Sequence, residues 1–189
     1  MTAWDIKARF YNSARSLPIL KQFYQAEIRN LQRLLPARSF GIHLDIGTGT
    51  GASLAVFPTS KLKVISDCSQ KMLAEAKKAF RSPAIQLDAN HKLPFQSHTF
   101  DLVSAIGVLE YLHDADIFFS ETHRVAKKGA AFVLTSTPPG LFAKLRAVTG
   151  SPPRQRSGES IRSSLHRCGW NVKKQDRSLM QNQWFCRKD

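Results

Sequence analysis

Three glycines in the run His43-Leu-Asp-Ile-Gly-Thr-Gly-Thr-Gly51 stand where an apolar strand turns into a following helix. Glycine carries no side chain, so its backbone can approach a ligand closely, and a helix opening there offers free N–H groups to an anionic part of it. Gly47-x-Gly49-x-x-Ala52 fits the dinucleotide fingerprint, and Asp67 lies twenty residues past Gly47, at the end of the next strand. A carboxylate at that place can accept bonds from ribose hydroxyls. On these two features a nicotinamide enzyme stays open, and so does a tight strand-to-helix turn with no ligand at all.

Other chemistries are poorly represented. Cys68, Cys168 and Cys186 form no C-x-x-C and no metal spacing, which points to reduced thiols in a cytosolic-type compartment and to no disulfide frame. No acidic cluster with histidine spacing calls for a metal, so the expected metal set is none. The net charge of +14 is unevenly spread: residues 1–40 carry +5, residues 41–140 carry +1 and residues 141–189 carry +8. Basic ends around a neutral centre suit either a solvated surface or a site for something anionic.

The elements that must position these residues alternate. A helix is expected over residues 4–35, with Leu17, Leu20, Phe23, Tyr24, Ile28, Leu31 and Leu35 as its apolar positions and Pro36 as its end. Strands follow at Ile42–Ile46, Lys61–Ser66, Ala84–Leu87, Phe100–Ile106 and Ala130–Ser136. Helices fall between them at Thr50–Phe57, at Gln70–Phe80 after an N-cap at Ser69, and from Asp114 to Lys127, where Gly129 stops the chain. The tail reads as a helix over Glu159–Cys168 and two strands, Trp170–Lys174 and Leu179–Cys186, close enough to pair as an antiparallel hairpin. The expected fold class is α/β: a doubly wound, mostly parallel seven-stranded sheet, with the last strand antiparallel and inserted beside the fifth. At 189 residues the chain suits one domain. It divides into an N-terminal helical cap (1–40), a ligand-binding core (41–136) and an acceptor-side loop, helix and hairpin (137–189). No apolar run approaches the roughly 18 residues that cross a bilayer, and the Arg-rich start leaves an organellar presequence as a minor alternative.

Motifs distributed along the chain decide between the nucleotides. Trp4-Asp5-x-x-Ala8-x-x-Tyr11-Asn12, Leu44-Asp45-Ile46-Gly47-Thr48-Gly49-Thr50-Gly51, Asp67-Cys68-Ser69-x-x-Met72-Leu73 and Asp88-Ala89 occur in order. Leu93-Pro94-Phe95, Phe100-Asp101, Val108-Leu109-Glu110-Tyr111-Leu112 and Arg124-Val-Ala-Lys-Lys-Gly129 complete the series. Together they resemble class I S-adenosylmethionine-dependent methyltransferases, particularly the small-molecule and lipid-acting group that includes the quinone-biosynthesis C-methyltransferases. Two positions depart from that group's pattern: Asn12 replaces its usual Asp, and Lys128 replaces the Pro of its R-V-L-K-P-G turn.

The resemblance implies a site. Gly47, Gly49 and Gly51, with Thr48 between them, would line the methionine part of the donor, and Asp45 would hold its ammonium directly or through water. Asp67 would accept from both ribose hydroxyls; Cys68 and Met72 would lie by the adenine, whose edge Asp88 and the Ala89 backbone would read. Ala105 and Ile106 would border the amino-acid portion, and Tyr11 would close over the donor. Each has a plainer reading: Asp45 could bond neighbouring backbone, Asp88 could cap a turn, and Cys68 could be a small buried hydrophobe. Asp101 reads as structural. Candidates for a general base, by position after the fourth strand, are Glu110 and Tyr111, with His113 better read as a surface histidine.

The implied function is methyl transfer from S-adenosylmethionine, leaving S-adenosylhomocysteine, to a small-molecule or lipid acceptor by in-line displacement. Alternatives are an RNA or protein methyltransferase, which the basic ends suggest but no RNA-binding module supports, and a non-catalytic S-adenosylmethionine-binding protein. A cytoplasmic location is expected, with peripheral contact to a membrane surface. Arg9, Arg15, Lys144, Arg146, Arg154 and Arg156 are expected around the acceptor entrance. Leu141, Phe142, Leu145 and Val148 alternate with some of them, as on an interfacial amphipathic turn, which would suit an anionic acceptor.

Overall fold

Buried apolar runs alternating with capped helices build one sheet of seven strands. The structure, a computed structural model, describes residues 4–5, 18–138, 154–178 and 181–189. Helix α1 (Pro18–Leu34) leads into β1 (Phe40–Ile46), β2 (Ser60–Asp67), α2 (Gln70–Ala79), β3 (Ala84–Gln86) and β4 (Phe100–Ala105). Then come α3 (Ala115–Val125), β5 (Ala126–Ser136), α4 (Gly158–Arg167), β6 (Trp170–Arg177) and β7 (Asn182–Lys188). Single 3-10 turns lie at Leu54–Val56 and Leu109–Tyr111.

The strand order is β3-β2-β1-β4-β5-β7-β6. The first five strands are parallel, and β7 runs antiparallel between β5 and β6, as the sequence implies. Winding reverses between β1 and β4, so the crevice beyond their carboxyl ends is the switch point where such sheets bind ligands. One face of the sheet packs Leu44, Ile46, Val103, Ala105 and Phe132 against α3 and α4, with Trp170 and Trp184 filling the end beneath the hairpin. The other face buries Leu102, Ala131 and Val133 against Leu31 and Leu34 of α1 and against Phe57.

The caps are those the sequence calls for. Ser69 accepts from the Met72 N–H at the start of α2, and Asp114 accepts from the Asp116 and Ile117 N–H groups at the start of α3. The Arg124 guanidinium donates to the Phe95 and Leu93 carbonyls at 2.9 and 3.0 Å and pairs with Glu121, whose carboxylate accepts from the Leu93 N–H. Two of the separated motifs are therefore one structural unit: Arg124 holds the Leu93-Pro94-Phe95 corner in place. Asp101 is structural too, accepting from the Ile42 N–H at 2.7 Å and pairing with Lys127 at 3.0 Å.

Four expectations are corrected. The helix expected at Thr50–Phe57 is only the 3-10 turn Leu54–Val56, because Gly51 turns with φ +84° and Pro58 and β2 follow too soon. Helix α3 ends at Val125, not Lys127: Ala126 already pairs with Phe100, Lys127 is drawn to Asp101, and Gly129 (φ +75°) sits inside β5 at a register shift. The hairpin strands end later than expected, at Arg177 and Lys188, since charged residues such as Lys173, Lys174 and Asp176 suit an exposed edge strand. The buried face of α1 includes Glu27, while Ile28 and Leu35 are only half-buried. Glu27 is held by Gln183, whose Nε2 donates to its main-chain carbonyl at 2.9 Å, and by the Ser178 hydroxyl. Among the described residues no helix is long and apolar enough to cross a membrane.

Candidate functional site

At the carboxyl ends of β1 and β4 the chain encloses a cavity of about 290 Å3, near the lower end of ligand pockets, roughly 300–1,000 Å3. Its floor is Ile46, Gly47 and Gly49; Asp67, Cys68 and Met72 form one side and Leu87, Asp88, Ala89 and Asn90 another. Ile106, Gly107, Val108, Tyr111 and Leu112 close it from the exit of β4, and Trp4 reaches in from the N-terminal segment.

The glycine loop is held by short bonds. Thr48 N–H donates to the Ser66 carbonyl at 2.9 Å, and Gly51 N–H to the Thr48 carbonyl at 3.0 Å. Asp67 clamps the loop to α2: one carboxylate oxygen accepts from Gly49 N–H at 2.8 Å and the other from Ser69 N–H at 2.9 Å. Burial raises the Asp67 pKa, opposed by these two backbone donors. Asp88 accepts from the N–H and the side-chain amide of Asn90, at 2.9 and 2.8 Å, and Asn90 in turn accepts from His113 N–H at 2.7 Å. Asp88 thus caps a turn and lines the cavity at once. Trp4 meets Tyr111 edge-on at 4.8 Å, while its neighbour Asp5 accepts from the Ser69 hydroxyl at 2.6 Å.

Of the expected residues, Gly47, Gly49, Asp67, Cys68, Met72, Asp88, Ala89, Ile106 and Tyr111 come together on the cavity wall. Asp45, Thr48, Gly51, Ala105 and Glu110 lie behind it. Thr48 turns its hydroxyl to the Asp45 carbonyl, and Ala105 is core. Gly51 is needed for packing instead of donor contact: a Cβ there would sit 2.9 Å from the Phe80 ring. Glu110 is buried, accepts from the Thr137 hydroxyl at 2.6 Å and is not among the residues that line the cavity. Tyr11 lies outside the described residues, as do Arg9, Arg15, Lys144 and Arg146 and the apolar positions Leu141 to Val148. Trp4 belongs to a motif that carries the resemblance, which implies no role for it, and Ile46, Leu87, Asn90, Gly107, Val108 and Leu112 carry no chemical signal in sequence.

Arg154 and Arg156 lie beside the turn at 109–113, Arg154 exposed and Arg156 half-buried. The Arg156 guanidinium donates to the Leu109 and Leu112 carbonyls at 2.7 and 2.8 Å, and burial lowers its pKa. Arg154 donates its N–H to the Glu110 carbonyl at 2.7 Å and its guanidinium lies 2.8 Å from His113 Nδ1. Cys68 stays a thiol, since burial, and then Asp67 and Asp88, push it up to about 12.

Two charges decide what the cavity suits. Asp67 and Asp88 line it, and among the described lining residues there is no Lys, Arg or His, in a chain of net charge +14. Among the described lining residues a pyrophosphate would meet no cation, and only a 3-10 turn follows the glycines. S-adenosylmethionine fits better: it carries a sulfonium, an ammonium and a diol for carboxylates to receive. An unpartnered oxygen, Asp45 Oδ2, is buried beneath the loop, one residue before the cavity floor.

Gly47 is the tightest point. At φ +69° an added Cβ would lie 2.3 Å from Val108, whereas Gly49 (φ +57°) has nothing within 4 Å. Gly49→Ala should cost about 1–2 kcal/mol of backbone strain. Gly47→Ala should cost more, and should also weaken S-adenosylhomocysteine binding by displacing Val108. Thermal melts and calorimetry on both variants check the order; equal effects would mean that Val108 does not pack on the loop.

Comparison with known proteins agrees with this geometry. Residues 44–134 match the family model described as a methyltransferase domain. A malonyl-acyl-carrier-protein O-methyltransferase from a Marinomonas species is 31% identical over 149 residues, 75% of this chain and 54% of that one. A ubiquinone/menaquinone biosynthesis C-methyltransferase from Desulfotalea psychrophila is 41% identical over 103 residues, 51% of this chain and 42% of that one. The chain spans about half the length of the curated relatives it matches. A solved S-adenosylmethionine-dependent methyltransferase from Thermotoga maritima shares the fold, with a TM-score of 0.78 over 100% of both chains at 19% identity. Glycine loop, strand order, acid-lined cavity and family match agree: the chain carries a methyltransferase domain of the class I, S-adenosylmethionine-dependent family and resembles the quinone-biosynthesis enzymes.

Proposed function

We propose that the chain transfers a methyl group from S-adenosylmethionine to a small-molecule or lipid acceptor. The observation that carries this reading is the acid-lined cavity, with two carboxylates and no described cation in a strongly basic chain. Asp67 receives the ribose hydroxyls with the lone pairs left after its two backbone bonds. Asp88 and the Ala89 backbone read the adenine edge, between the apolar surfaces of Cys68, Met72 and Leu87. Gly47 and Gly49 lie along the methionine part, and Asp45 answers its ammonium.

The bound donor supplies an electrophilic methyl on sulfur, so the protein's contribution is placement along the S–CH3 axis and exclusion of water. Trp4, Val108, Tyr111 and Leu112 are the apolar and aromatic wall left for the acceptor. Tyr111 is the group that shapes the acceptor side. Such a wall suits a ring or an acyl chain. The named relatives are a malonyl-acyl-carrier-protein O-methyltransferase and a ubiquinone/menaquinone biosynthesis C-methyltransferase, in keeping with it.

Incubating extracts with the protein and methyl-labelled S-adenosylmethionine tests the reading. Label should enter the solvent-extractable small-molecule or lipid fraction, or leave the protein fraction when acyl thioesters are cleaved; label held on RNA or on protein side chains would overturn it. Peripheral contact with an anionic membrane is the finer part of the proposal, resting on the basic ends. Co-sedimentation with anionic vesicles should fade as salt rises, and equal binding to neutral vesicles would dismiss it. Arg156 is a poor choice for charge reversal in that assay, because it braces the cavity wall.

A further inference from the structure

Directly beneath the glycine loop, three polar side chains, two from the strand that carries the loop and one from its neighbour, form a hydrogen-bonded chain. Asp45 and Ser104 are register partners on the adjacent parallel strands β1 and β4. His43 lies two residues before Asp45, on the same face. The Ser104 hydroxyl donates to Asp45 Oδ1, and His43 Nε2 lies 2.7 Å from the Ser104 oxygen. His43 and Ser104 are fully buried and Asp45 is 2% exposed.

The proton positions follow from counting. A hydroxyl has one hydrogen, and here it goes to Asp45. The serine oxygen must then accept from His43, so Nε2 carries the imidazole proton and Nδ1 is bare. In agreement, His43 Nδ1 and Asp45 Oδ2 are both buried without a hydrogen-bond partner among the described residues. The imidazole is neutral: burial, and then the charge of Lys63 on β2, lower its pKa to about 3. Phe57 closes the other side of the ring at 5.0 Å.

Three apolar side chains would cost less to bury between two strands than this chain does. What the chain provides is direction without charge. A neutral imidazole hands one hydrogen bond through Ser104 to Asp45 Oδ1, which fixes the carboxylate. It brings no positive charge that would compete for the carboxylate, so Oδ2 keeps its attraction for a cation.

We propose that His43 and Ser104 are positioning residues that act through Asp45, holding its unpartnered oxygen for the ammonium of the methyl donor's amino-acid tail. The inference rests on the donor reading of the site given above. It assigns recognition of the tail to a relay inside the sheet, while Asp67 and Asp88 recognise the nucleoside independently.

Calorimetric titration of the full chain with two ligands separates these roles: S-adenosylhomocysteine, and methylthioadenosine, which lacks the amino-acid tail. Ser104→Ala and His43→Phe should each weaken S-adenosylhomocysteine by about tenfold and leave methylthioadenosine within about twofold. His43→Gln, which restores an N–H donor, should recover most of the loss, and Ser104→Ala should have little further effect in an Asp45→Asn background. Should His43→Phe not fold, Ser104→Ala and His43→Gln still decide. Parallel weakening of both ligands, or of neither, overturns the relay. If Asp45→Asn discriminates the two ligands but Ser104→Ala does not, the relay alone is wrong; if Asp45→Asn itself fails to discriminate them, the donor reading falls with it.

Discussion

Asp45→Asn should make the free protein more stable at neutral pH and a poorer binder of its donor. Burial raises the Asp45 pKa from 3.8 to about 6, against the opposing effect of the Ser104 bond. A folded-state value above the unfolded one means that folding favours the protonated carboxyl. Well below pH 3.8 both states hold the proton and the residue costs nothing. Between about 4 and 6 the unfolded chain releases its proton first, so stability falls as pH rises, and above about 6 the loss is complete at roughly 3 kcal/mol. Asn removes the charge but leaves a buried amide with one donor face unmet, which trims the gain to about 1–2 kcal/mol. Urea unfolding of the two proteins across that range checks the sign: the variant should be the less stable protein at pH 4, where mainly the unmet donor counts, and should have its largest advantage at pH 7. S-adenosylhomocysteine affinity should fall by one to two orders of magnitude, as expected where a strained group is kept for function. An advantage that shrinks towards neutral pH would contradict the account.

Asp67 should behave in the opposite way, losing both stability and binding. From sequence, Asp67→Ala is expected to weaken donor binding far more than folding. The geometry changes that expectation. Its two carboxylate oxygens each receive a backbone N–H, from Gly49 and Ser69, so the residue anchors the glycine loop as well as facing the cavity. Alanine leaves both donors unmet, at about 1–3 kcal/mol of stability, and takes away the ribose acceptor. Asparagine is no rescue, because its amide nitrogen must face one of the two N–H groups. Both variants should show a lowered melting temperature together with S-adenosylhomocysteine affinity reduced by about 30-fold or more. Unchanged affinity in a folded Asp67→Ala protein would remove Asp67 from the site.

What was legible in the sequence is what depends on local order. The glycine loop, the acids closing β2 and following β3, and the turn after β4 each fall at a strand end, so a motif read along the chain picks out residues that the fold brings to one cavity. The inserted position of β7 was legible because two short strands separated by a few residues pair with each other and need an edge to join. What was not legible depends on which face a residue takes. Gly51 reads like Gly47 and Gly49, yet Phe80, far along the chain, claims its space. Glu110 reads like a cavity residue, yet it is buried against Thr137, 27 positions on, and does not line the cavity. His43 and Ser104 read as ordinary strand residues 61 positions apart, and only the register of β1 with β4 brings them to one aspartate. The first helix after the loop failed for a related reason: its composition allows a helix, but Pro58 and β2 leave no length for one.

Hydrogen–deuterium exchange with and without S-adenosylhomocysteine tests the central claim, that the acid-lined cavity is where the methyl donor binds. Bound ligand should slow exchange in the loop at 46–51, at 67–72, at 87–90 and across the turn at 106–112, leaving α4 and the β6–β7 hairpin unchanged. Protection confined to α4 and the hairpin, with the glycine loop exchanging at its free rate, would contradict the account.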